Sequence, residues 1–183
     1  MRKLIGIGGM ALLGACQASS TAGTEIDAHT ITFNNFEAGG GWSNDAIRND
    51  PKLLEKGRAH SGQYAIKVDK DHEFSLTFDM ELGQIQTHKF KTVHLDAWAF
   101  LPSEKATGIV GLQIMEHGTN KQVYGDGLKL GEVVKTYNEW VPVSKDFTLP
   151  DNITLNQHLR LSLWRANASD LVLLDDVKLS IKN

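Results

Sequence analysis

The sequence predicts an all-β domain, a two-sheet antiparallel β-sandwich of jelly-roll form. Two observations carry this. Short apolar stretches with a two-residue period recur along the chain, bounded by Gly, Pro, Asn or Asp, and no segment of helical length holds a 3.6-residue period. Many short strands with turn signals between them make a sandwich or barrel, and the jelly roll is the common two-sheet arrangement.

The first fifteen residues read as a processing signal. Arg2 and Lys3 give a basic start, residues 4–13 form a brief apolar run, and Leu13-Gly14-Ala15 leads into Cys16, the one cysteine of the chain. The run falls short of the ~20 apolar residues a membrane-spanning helix needs. Leu13-Gly14-Ala15-Cys16 resembles the bacterial lipobox, which implies lipid on Cys16, a membrane anchor and residence in the bacterial cell envelope. Gln17 after the cysteine resembles sorting signals for the outer membrane. The competing reading is an ordinary secretory signal with a chance cysteine. Residues 16–25 then form the lipidated Cys and a flexible Ser, Thr, Ala and Gly-rich tether, and the domain spans 26–183. With Cys16 lipidated, no disulfide forms within the chain, so the core alone must hold the fold.

Removal of residues 1–15 takes two basic residues and no acid, leaving 17 basic against 22 acidic residues. That balance argues against nucleic acid as a partner.

In order, the expected strands are 30–33, 63–69, 73–80, 93–101, 109–117, 140–149, 159–164 and 171–181. The run Gly39-Gly40-Gly41 is loop chemistry without the following Lys of a phosphate loop. Residues 51–56 hold at most one helical turn. Tyr64, Ile66 and Val68 alternate on one strand and Phe74, Leu76, Phe78 and Met80 on the next; the short polar link 70–72 predicts that the two form a hairpin. On the last strand, Leu171, Leu173, Val177, Leu179 and Ile181 share one face with Asp175. A carboxylate in an apolar row must protonate, pair or coordinate a metal.

Phe36-Glu37 before the glycine run and Trp42, then His60-Ser61-Gly62-Gln63-Tyr64-Ala65, Ala97-Trp98, Glu139-Trp140, Phe147-Thr148-Leu149-Pro150 and Leu174-Asp175-Asp176-Val177 follow in an order that resembles carbohydrate-binding modules of the galactose-binding-like jelly-roll superfamily. The resemblance implies a structural calcium held by Glu37 and Asp175, with backbone carbonyls of residues 58–61 as further ligands. Asp175 accepting backbone N–H bonds at a bulge, or pairing with Arg58, is the alternative.

Sugar sites combine flat aromatic faces with a few hydrogen-bonding groups. His94, Asp96 and Trp98 project from one side of their strand, and Arg160 and Trp164 project away from the core side of theirs. These five are expected to converge on one outer surface, with Tyr124 on the rim in a Gly-bounded loop. Gln113, Met115 and His117 are candidates for the same groove. Trp42 is open to either role, and Trp140 reads as packing. The function expected is non-catalytic binding of a polysaccharide or oligosaccharide. An envelope lipoprotein that binds a protein partner is the alternative, and a polysaccharide-cleaving enzyme the third reading. For catalysis, Asp96 with Glu116, or His94, His117, Tyr124 and Arg160, are the residues to examine.

Overall fold

The computed structural model describes residues 28–38, 40–44, 50–167 and 170–182. The segments expected to be signal peptide and tether, residues 1–25 with Cys16, lie outside these. In chain order the strands are β1 (Thr30–Asn34), β2 (Trp42–Ser43), β3 (Leu54–Lys56), β4 (Tyr64–Val68), β5 (Phe74–Glu81), β6 (Thr92–Phe100), β7 (Ile109–Met115), β8 (Gln122–Lys129), β9 (Trp140–Thr148), β10 (His158–Trp164) and β11 (Val172–Lys182). One sheet runs β3-β4-β11-β6-β9, with β1 also paired to β11; the other runs β2-β5-β10-β7-β8. Every pairing is antiparallel. A 3₁₀ turn at Pro51–Leu53 is capped by Asp50, whose carboxylate accepts the Lys52 N–H.

The core lies between the sheets and follows the two-residue period. Val93, Leu95, Ala97 and Ala99 of β6 face Val110, Leu112 and Ile114 of β7 and Leu159, Leu161 and Leu163 of β10 within one buried cluster. Trp42 belongs to it, 1% exposed and edge-on to Phe36 with ring centroids 5.4 Å apart, which settles its role as core. At the open edge between β8 and β9, Lys145 crosses from one sheet to the other. Its Nζ donates to Asp126 Oδ1 and to the Gly127 carbonyl, both at 2.9 Å.

Three sequence expectations are corrected. The stretches 63–69 and 73–80 do not pair, since β4 and β5 belong to different sheets. Asp69 and His72 exchange backbone bonds across the link, and beyond that turn the chain crosses the edge of the sandwich. Alternation fixes which face of a strand is buried; it does not choose the partner. A strand the alternation did not reveal, β8, occupies the sheet edge, where Gly125, Asp126 and Gly127 break the apolar pattern.

The third correction concerns Asp175. The pairing of β11 with β6 slips between Asp175 and Lys178, and Asp176 adopts φ +47°. This bulge inverts the facing of the strand. Val172 and Leu174 before it, and Val177 and Leu179 after it, point into the main core. Leu173 instead joins Ala65 and Phe100 in a small second cluster outside the sheet. At the bulge the partner on one edge of β11 changes from β4, opposite residues 172–174, to β1, opposite residues 177–180. The loop between β3 and β4 fills the break. Asp175, fully buried, accepts the N–H groups of His60 (2.8 Å) and Ser61 (3.0 Å) on Oδ2 and that of Asp176 (2.7 Å) on Oδ1. Glu37 Oε1 holds the same loop from the β1 side, accepting the N–H groups of Gln63 and Tyr64, both at 2.7 Å. Arg58 lies over the Phe100 ring, 5.5 Å from its centroid.

Burial pushes the Asp175 carboxyl up from 3.8 to about 6; the Ser61, Asp176 and His60 N–H groups oppose the rise and the Asp176 charge adds to it. The folded chain thus binds this proton more tightly than the unfolded chain. The associated stability is fully present below pH 3.8 and is lost as pH rises through about 6. Chemical unfolding should show the wild type losing up to ~3 kcal/mol relative to Asp175→Asn between about pH 4 and pH 7. Asp175→Ala, which orphans three N–H donors, should cost about 3 kcal/mol at neutral pH. Gly62 has φ +64°, and a Cβ there would stand 2.5 Å from Glu37 Cδ. Gly62→Ala should therefore lower stability by ~2 kcal/mol or more in the same assay.

Candidate functional site

On the outer face of the five-stranded sheet, the register sets side chains in rows that cross the strands. One row is Phe74, Trp164, Ile109 and Lys129; the next is Thr77, Ser162, Gly111 and Gly127; the third is Asp79, Arg160, Gln113 and Gly125. The middle row is small, so it forms the floor of a trough about 14 Å long across four strands, walled by the rows on either side. The groove has a volume of ≈ 400 Å³.

Its aromatic wall depends on a second irregularity. The pairing of β10 with β5 slips between Ser162 and Trp164, and the buried Ser75 hydroxyl accepts the Leu163 N–H at 3.0 Å in the gap. Phe74 is turned out of the core, 53% exposed, and stacks with Trp164, centroids 6.3 Å apart and planes 14° from parallel. The indole N–H donates to Glu73 Oε1 at 3.2 Å, which fixes the ring. On the opposite wall Arg160 Nε donates to Asp79 Oδ2 at 2.5 Å, and Gln113 Nε2 donates to Gln122 Oε1 at 2.6 Å. A flat apolar platform beside fixed polar groups suits a ring that is apolar on its faces and hydroxylated at its edges.

A larger cleft, ≈ 960 Å³, lies on the outer face of the other sheet, lined by His60, Asp96, Trp98, Ser144, Asp176 and Lys178 among others. Trp98 does not offer an open platform there. The His60 ring stacks on it, centroids 3.8 Å apart and planes 11° from parallel, and Asp176 holds that imidazole at Nδ1, 2.6 Å away. Nearby, His94 sits between Asp146 (2.5 Å) and Asp96 (3.2 Å). Lys182 first, and then His94, hold the exposed Asp146 carboxyl below its usual value.

The residues expected on one surface are therefore divided. His94, Asp96 and Trp98 lie on one outer face of the sandwich, Arg160 and Trp164 on the other. Period-two patterning told inside from outside on each strand, and the assignment of strands to sheets was needed to tell the two outsides apart. Tyr124 lies within β8, packed against the core; burial, with the Asp126 charge, pushes its phenol up. Asp96 lies on the six-stranded sheet and Glu116 just past the end of β7 in the other, so the acids weighed for glycoside hydrolysis do not flank a common bond, and His94 is likewise apart from His117 and Arg160. Gln113 does line the groove. Phe74, Gln122 and the glycine floor escaped the sequence reading: Phe74 alternates in step with Leu76 and Phe78, and nothing local announces the slip that turns it outward.

Glu37 and Asp175 stand on two sides of the 60–64 loop, and their oxygens meet N–H groups of that loop. Asp175 thus accepts backbone N–H groups at the bulge.

Compared with solved structures, the chain is similar to the C-terminal family 22 carbohydrate-binding module of Clostridium thermocellum Xyn10B, with TM-score 0.58 and 15% identity over 86% of this chain and 96% of that one. The fold is that of a jelly-roll β-sandwich. A xylan-binding domain of family 22 matches with TM-score 0.56 and 15% identity over 85% of this chain and 97% of that one. The CBM22-1 xylan-binding domain of Paenibacillus barcinonensis Xyn10C gives TM-score 0.52 at 15% identity, covering 86% and 97%. No protein-family model and no curated protein matches the sequence. At this identity the likeness is one of fold.

Proposed function

We propose that the protein is a non-catalytic carbohydrate-binding lipoprotein of the bacterial cell envelope, which lays a polysaccharide segment across the five-stranded sheet. The observation that carries this reading is the parallel Phe74–Trp164 pair beside a trough floored by Ser162, Gly111 and Gly127. A pyranose ring stacks on the aromatic wall, while Arg160, Gln113 and Gln122 meet its hydroxyls from the other. The likeness to modules described as xylan-binding makes xylan the first polysaccharide to test. Lipid on Cys16 anchors the domain to a membrane, in this reading the outer one, and the residues up to 25 give it reach.

The test is an affinity-gel and calorimetric screen of a soluble form beginning after Cys16, against xylan and other insoluble and soluble glycans. Trp164→Ala should weaken binding about tenfold or more. A Cβ at Gly111 meets nothing nearer than the Ser162 carbonyl at 4.0 Å, so a side chain can start there, and Gly111→Leu, reaching into the trough, should abolish binding with an unchanged unfolding midpoint. Binding that survives both variants and is lost in Trp98→Ala would move the site to the other sheet. A folded protein that binds no glycan would favour the protein-partner alternative. Calcium on Glu37 and Asp175 is a separate part of the proposal: a melting temperature raised in calcium over chelator, with the rise lost in Asp175→Ala, supports the ion, and identical melting in both removes it.

A further inference from the structure

Beyond the third row of that same face lies a fourth, in which Glu81, His158, Met115 and Gln122 follow one another across β5, β10, β7 and β8. The turn after β7 brings His117 over its end. Glu81, His117 and His158 each present one ligand atom, and these atoms all lie within 4.8 Å of one another. The three come from three separate segments of the chain, the end of β5, the β7–β8 turn and the start of β10, so neither a local motif nor a helical repeat accounts for their meeting.

The geometry points to a site for a divalent first-row transition metal, zinc foremost, held by His117 Nδ1, His158 Nε2 and the Glu81 carboxylate. Two features single these residues out from ordinary surface histidines. First, His117 Nδ1 and His158 Nε2 are 3.2 Å apart. Two nitrogens at zinc-bond length from one tetrahedral ion stand about 3.3 Å from each other, so the pair already has the edge length of such a site. Second, His158 Nδ1 lies 2.7 Å from Asp79 Oδ1. A carboxylate only accepts, so the imidazole proton sits on Nδ1 and the Nε2 lone pair is left facing His117. A carboxylate behind a ligating histidine is the support that fixes ring orientation and raises ligand basicity at zinc centres. Asp79 is itself held on its other oxygen by Arg160, which neutralises it and keeps it in place.

Two imidazoles and one carboxylate choose zinc, copper, nickel or cobalt over the all-oxygen demand of calcium or magnesium. Three protein ligands leave a fourth position open. Both histidines line a cleft of ≈ 480 Å³, together with Asp79, Met115, Arg160 and residues of the β7–β8 turn, which gives an exchangeable ligand room to enter. That is the pattern of an ion that exchanges a ligand, as distinct from a closed structural centre. The site needs no assumption about the glycan groove.

The test is calorimetric titration of the untagged full-length protein with zinc, alongside the visible absorption of its cobalt(II) form. One zinc per chain and the intense spectrum of tetrahedral cobalt are expected, with calcium unable to compete. His117→Ala and His158→Ala should each weaken zinc binding ~100-fold or more, and Asp79→Asn, which acts through His158, 10–100-fold. His94→Ala, on the other sheet, should leave it unchanged, and all variants are to be checked for an intact unfolding transition. The proposal is overturned if the folded wild type shows no saturable zinc binding, or if binding persists in the double variant His117→Ala/His158→Ala.

Discussion

A buried carboxylate at the middle of the last strand organises half of this molecule. Asp175 is removed from water and still finds three N–H donors, two of them from a loop more than a hundred residues earlier in the chain. Because an unpartnered acid at that depth would be untenable, the loop between β3 and β4 has to close over it. The closure in turn seats His60 on Trp98 and places Ser61 against Asp176. Glu37, just beyond β1, holds the other end of the same loop. One strand thus takes two partners along a single edge, β4 and then β1, without leaving an open break.

The two sheets divide the work between them. The six-stranded sheet carries the bulge, the clamped loop and the outer aromatic cluster of Trp98, Trp140 and Phe100 around His60 and Arg58. Its acids and bases are largely committed to one another. The five-stranded sheet is plainer in construction, and its outer face presents side chains in regular rows. A departure there, the slip opposite Ser75, brings two aromatic rings parallel to one another at the surface. Both irregularities therefore have an identifiable effect on what the outside of the molecule displays.

Much of the fold was legible in the chain. The inward sets Val93, Leu95, Ala97, Ala99 and Leu159, Leu161, Leu163 follow the alternation, and the two-sheet class follows from the absence of helical periodicity. The outward positions of Trp164 and Arg160 were legible for the same reason. What escaped is information that a single strand does not contain. Whether neighbouring strands join one sheet or two decides that Trp98 and Trp164 look in opposite directions, and a one-residue slip decides that Phe74 is outside and Leu173 is outside the main core. Bulges leave no mark in a period count, because the count is taken on the assumption that they are absent. Asp175 is the partial exception: an acid in an apolar row signals that the row is interrupted, although it does not say in which direction.

The floor of the trough is bare backbone at Gly111 and Gly127, with Ser162 next to Gly111 on the neighbouring strand. Those positions face away from the core, and at Gly111 a side chain would project into open space. Groove depth in this scaffold is therefore an adjustable dimension, set by residues that contribute nothing to the hydrophobic interior. A lineage or a designer exploring new ligands can reshape the floor at Gly111, whereas at Gly127 an added Cβ would stand 2.6 Å from Ile109 Cγ2 and that wall residue would have to move with it.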